Sequence, residues 1–98
     1  MRKYLLMEAV FVNIPCPTKQ EAIALCTGLL EKELCATTKI HESVHLMWND
    51  EGIQGEDVVL ITLKTTDVNI PQIHSYIYEH HSWGNPCIEV VPILRDLC

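Results

Sequence analysis

The first informative stretch, residues 4–13, carries apolar side chains on both parities, with Leu6, Val10 and Val12 on one and Leu5, Met7, Ala9 and Phe11 on the other. That pattern predicts a central strand covered on both faces, ended by Pro15 and Pro17. Thr18-Lys19-Gln20-Glu21 has the form of a capping box, so a helix should begin there and run to about Glu33. Within it Ala22, Leu25, Cys26 and Leu29 fall on one stripe, widened by Ile23 and Leu30.

Over residues 36–48 the period changes to two. Ile40, Val44, Leu46 and Trp48 share one parity, and Lys39, His41, Ser43, His45 and Met47 the other. The turn formers Asn49-Asp50-Glu51-Gly52 and the apolar run 58–63 follow, which together predict a long hairpin. Asp67 or Asn69 can cap a second helix with an early Pro71 and a buried stripe of Ile70, Ile73 and Ile77, ending near His81. A last short strand over residues 87–91 is stopped by Pro92.

The order is therefore βαββαβ, an α+β chain of ferredoxin-like type in one domain over residues 1–98. Two split crossovers give a four-stranded antiparallel sheet with both helices on one face. Because the first and third strands are apolar on both parities, the uncovered face would expose apolar surface on a monomer. A homotrimer, or another closed symmetric assembly, is the expected remedy. The competing expectation is a C-terminal segment, residues 93–98, laid over the sheet.

Composition narrows the chemistry. The chain has 13 Asp and Glu against 7 Lys and Arg, which predicts neither nucleic-acid nor membrane-surface binding. No apolar run reaches membrane-spanning length, so a mature, leaderless, cytoplasmic protein is expected. Five cysteines, with no CxxC spacing, argue against a disulfide framework and a zinc ribbon and predict reduced thiols.

With the elements placed, several segments carry a family resemblance: Pro17 before the first helix, Glu31-Lys32-Glu33-Leu34-Cys35-Ala36, Trp48, Leu63-Lys64-Thr65-Thr66, and the stretch from His80 to Ile88. Across most of its length the chain resembles the CutA divalent-cation-tolerance family, as a divergent member short at its C-terminus. The resemblance implies a ferredoxin-like subunit, a tight homotrimer and divalent-metal (copper) tolerance. The family's cysteine before the second strand falls on Thr37, and its second thiol position falls near Ile14. Ser82, Trp83 and Cys87 stand where the family carries Pro, Tyr and Glu.

Candidate sites follow from the strand order, which predicts that Cys16, Trp48, His81, Trp83 and Cys87 gather at one edge of the sheet. Two thiols and an imidazole suit Cu(I) or Zn, which makes Cys16, His81 and Cys87 the metal candidate, with His80 as a further donor. Ordinary packing is the competing reading of all three. His41 and His45 lie about 13 Å apart along a strand, too far to share an ion within one chain. Lys64 and Thr65 could offer a cation and a hydroxyl to an anion, and Trp48 and Trp83 could line a pocket or interface.

No phosphate loop, paired carboxylates or assigned nucleophile–base pair supports catalysis. The expected function is a non-catalytic, CutA-like trimer that binds or tolerates divalent metal without a required cofactor. The alternatives are a trimeric regulatory protein binding a small anion in inter-subunit clefts, and an enzyme with a site assembled between subunits.

Overall fold

In the computed structural model, which describes residues 8–97, the elements run β1 (Ala9–Cys16), α1 (Lys19–Glu31), β2 (Thr37–Asn49), β3 (Ile53–Thr66), a single 3-10 turn (Asp67–Asn69), α2 (Ile70–His80) and β4 (Glu89–Pro92). All neighbouring strands are antiparallel in the order β2-β3-β1-β4, which is the ferredoxin-like arrangement. Leu5, Leu6 and Met7, which the sequence assigns to the first strand, lie outside the described residues, as does Cys98.

Local chemistry explains most boundaries. The Thr18 hydroxyl accepts the Glu21 backbone N–H at 3.1 Å, as an N-cap should. The Glu21 carboxylate does not complete the capping box; it turns to the adjacent loop after α2, where it accepts the Ser82 N–H at 2.8 Å. At the other end of α1 the Leu34 N–H reaches the Leu29 carbonyl and the Glu33 N–H reaches the Leu30 carbonyl, both at 3.0 Å. This is a Schellman motif, and it forces Glu33 to φ 58°. A side chain with a Cβ is strained there, so Glu33→Gly is expected to stabilise the protein by about 1 kcal/mol, read as a higher denaturant midpoint.

β1 continues to Cys16, three residues past the expected end at Asn13. Pro15 stands opposite Leu60 of β3, whereas pairing with β4 stops at Asn13 opposite Glu89. The missing Pro15 N–H therefore costs no ladder bond with β4. The second helix starts directly after Asn69, one of the two expected caps, but Asn69 spends its side-chain amide on the Thr65 hydroxyl at 3.1 Å and makes no side-chain capping bond to α2.

The core lies between the sheet and the helices. It is built from Val10, Val12, Ile14 and Cys16 of β1, Ile61 and Leu63 of β3, the stripe of Ala22, Leu25, Cys26 and Leu29 on α1, and Ile73 and Ile77 on α2. Directly opposed strand residues share a face and successive ones alternate, so the pairings also define the open face. It is not uniformly apolar, as the sequence suggested, because Asn13, Thr62 and Lys64 alternate with Phe11, Leu60 and Val58 on it.

One irregularity reassigns the second strand. His41 faces Leu60 but Val44 faces Val58, so two residues of β2 oppose one of β3, and Ser43 in the bulge takes φ 62°. The bulge moves every later residue to the opposite face. Ile40 packs toward the helices, whereas Val44, Leu46 and Trp48 emerge on the open side; the single parity expected for all four is corrected accordingly.

Beyond Cys16 the hairpin projects alone. β1 ends opposite Val59, while Trp48 stands opposite Gln54, five residues and roughly 17 Å further along β3. The molecule is accordingly elongated, with extents of 49 × 27 × 25 Å. Leu46, Met47, Trp48 and Ile53 on this arm are all exposed.

Candidate functional site

The most densely bonded polar site lies where β1 gives way to α1 and α2 ends. His81, the first residue past α2, leaves the helical conformation, and its side chain is completely buried. Its Nδ1 accepts the Trp83 backbone N–H at 3.0 Å, which requires a lone pair on Nδ1 and so places the ring proton on Nε2. Nε2–H then donates to the Pro15 carbonyl at 2.8 Å. The Glu21 carboxylate stands 3.5 Å from Nδ1 and the Trp83 ring packs 5.2 Å from the imidazole. The neutral ring thus ties three segments together: the end of β1, the start of α1 and the loop after α2.

That occupancy bears directly on the metal candidate. With both ring nitrogens engaged, His81 has no lone pair to offer an ion. Cys16 is fully buried in the core, and its thiol is pushed up to about 11, chiefly by burial and secondarily by the Glu21 charge. Cys87 is exposed, just ahead of β4. Among the described residues no three His, Cys, Asp or Glu side chains come together to hold a metal ion. Within one subunit Cys16, His81 and Cys87 are therefore not assembled into a ligand set.

The thiols are instead graded by burial. Cys26 and Cys35 are also raised by burial, so alkylation near neutral pH should be confined to Cys87 among the described cysteines, as peptide mapping after iodoacetamide treatment would show. Folding also holds a proton on Cys16 above 9.0, where an unshifted thiol ionises. Its contribution to stability is present below that value and is lost as pH rises through about 11.

The remaining candidates are dispersed. Trp48 sits on the projecting arm, away from Cys16, because the hairpin outruns β1. Lys64 and Thr65 occupy opposite faces of β3: Lys64 pairs with Asp96 at 2.9 Å on the open side, while the buried Thr65 hydroxyl donates to the Leu34 carbonyl at 2.7 Å. They do not converge on one anion. Thr37 opens β2 opposite Lys64. His41 contacts the Thr62 hydroxyl at 3.2 Å, and His45 Nδ1 meets the Asp57 carboxylate at 2.8 Å. His80 lies beside Glu79, with its ring tilted against that of Tyr76 at 4.1 Å between centroids.

Sequence reading missed Glu21 as a site residue because its spacing from Thr18 assigned it to a cap. It also missed the Pro15 carbonyl, for which no side chain could have signalled.

The family described as CutA1 divalent ion tolerance protein matches residues 10–96, nearly all of the folded chain. The chain belongs to the CutA1 family. Among curated relatives, the divalent-cation tolerance protein CutA of Archaeoglobus fulgidus is 29% identical over 87 residues, covering 89% of this chain and 85% of the relative. The solved structure from that organism, described as the periplasmic divalent cation tolerance protein CutA, superposes with TM-score 0.84 over 91% of this chain and 87% of its own. CutA1 from Shewanella sp. SIB1 reaches TM-score 0.85 at 23% identity, covering 92% and 85% of the two chains. CutA1 from Oryza sativa gives 0.84 at 19% identity over 91% and 83%, which at this distance speaks for the fold alone. Among the described residues no helix is long and apolar enough to cross a membrane.

Proposed function

We propose that this CutA1 family member is a homotrimeric protein of divalent-ion tolerance, copper being the first ion to test, that binds metal between subunits and performs no catalysis. The observation that carries the reading is the family match over residues 10–96. The trimer is supported by the bare hairpin arm, whose exposed Leu46, Met47, Trp48 and Ile53 require cover that a single subunit does not provide.

A shared rather than a private metal site follows from the ligand inventory. One subunit offers no three-ligand cluster among the described residues. His45, however, points its Nδ1 at the Asp57 carboxylate, the arrangement that orients an imidazole and raises its basicity as a ligand. Its other ring nitrogen, on an exposed arm, can join ligands from a second copy. Four described cysteines are free thiols, which fits a reducing compartment such as the cytoplasm.

Copper and zinc titrations into the reduced protein, read by calorimetry alongside sedimentation, test this. The expected result is a trimer that binds substoichiometric metal per subunit and loses affinity on His45→Ala. Equal binding by His45→Ala would remove His45 as the ligand, and no binding of either ion would overturn the metal reading.

A further inference from the structure

We propose that the groove between the end of α1 and the exposed side of α2 binds a free amino acid with an apolar side chain, holding its carboxylate at Lys32, its ammonium at Glu79 and its side chain against Leu34 and Tyr76. The groove lies on the helical side of the sheet, opposite the open face, so the proposed trimer leaves it accessible. It shares no residue with the metal reading and stands without it.

α2 turns Ile73 and Ile77 into the core. Gln72, Ser75, Tyr76 and Glu79 recur at helical spacing along its other side, and all four line one groove of about 610 Å³. That volume falls within the usual range for small-molecule sites. The facing wall is the close of α1: Lys32, its C-cap, and the buried Leu34, which the Schellman turn folds back. Tyr76 is fixed between the two helices. A Cβ at position 28 would stand 1.8 Å from the Tyr76 hydroxyl oxygen, so the ring lies where it does only because Gly28 is a glycine, a residue otherwise unfavourable inside a helix.

The side chains along the groove have bonding capacity to spare. Among the described residues Lys32 has no carboxylate within ion-pair distance, and Gln72 and Ser75 make no side-chain hydrogen bond. Glu79 meets His80 at 3.6 Å, too long for a hydrogen bond. Lys32 holds its ammonium 5.9 Å from the centre of the Tyr76 ring, and Glu79 follows Tyr76 by three residues on the same helix, one turn away. A cation and a carboxylate therefore border one aromatic ring beside a buried leucine. An amino acid carries the complementary set, with opposite charges on a single carbon and an apolar side chain attached to it. One cation against one anion selects such a zwitterion over a simple acid or amine.

L-Phenylalanine is the probe, with N-acetylphenylalanine and phenylalaninamide each lacking one charge. Calorimetry on the native full-length protein should show saturable binding of phenylalanine and roughly tenfold or weaker binding of the two blocked compounds. Lys32→Ala should weaken phenylalanine by roughly tenfold or more without weakening phenylalaninamide, which has no carboxylate to lose. Glu79→Gln should do the same to phenylalanine without weakening N-acetylphenylalanine. Lys32 and Glu79 are exposed, so the fold should survive, which circular dichroism would verify. The proposal is overturned if phenylalanine fails to bind at millimolar concentration, or if either blocked compound binds as tightly. It is equally overturned if either variant binds phenylalanine like the native protein, or loses the matching blocked compound to the same extent as phenylalanine.

Discussion

Replacing His81 with Ala should destabilise the protein by about 3 kcal/mol, a large share of the roughly 5–15 kcal/mol that holds a domain of this kind together. The imidazole is completely buried and bonded at both nitrogens. Its removal strands the Pro15 carbonyl and the Trp83 N–H in a part-buried environment and leaves a void beside the indole. Glutamine can present a donor and an acceptor from one side chain, so His81→Gln should recover part of the loss. Urea unfolding at fixed protein concentration would measure both, with a lower midpoint and an unchanged slope expected for the alanine variant. A midpoint equal to that of the native protein would show that these bonds are dispensable.

Charging the hairpin arm, by Leu46→Asp with Trp48→Asp, should separate the proposed trimer into folded single subunits. Both side chains are exposed on the open side of the arm, beyond the end of β1, and neither belongs to the core. In an interface each would lose on the order of 2 kcal/mol of apolar burial and gain a carboxylate without a partner. Analytical ultracentrifugation reads the assembly, and the amide circular-dichroism spectrum should be unchanged. A double variant that still sediments as a trimer would take the arm out of the interface.

Much of the fold was legible because period and punctuation agree. The stripe on α1, the Thr18 cap and the turn formers at 49–52 each specify a local geometry that no distant residue needs to supply. The bulge was not legible. Ser43 gives no glycine-like signal for a left-handed residue, so the alternation in β2 reads as unbroken although the strand changes face there. The candidate site was half visible for a related reason. The topology correctly brings the end of β1 and the end of α2 together, but the lone pairs on His81 go to a main-chain amide and carbonyl, which side-chain spacing does not report. Trp48 was misplaced because strand length, not strand order, decides how far the hairpin reaches. The two opposite charges beside Tyr76 were hidden by their separation along the chain, from Lys32 to Glu79.

The slip at Ser43 has a consequence for how the protein tolerates change. One strand is divided into an inner length that serves its own subunit and an outer length free to serve another, so the two can drift under separate selection. Deleting a single residue there would turn the outer half over, presenting His45 and Met47 where Leu46 and Trp48 now stand, while the domain behind it stayed intact.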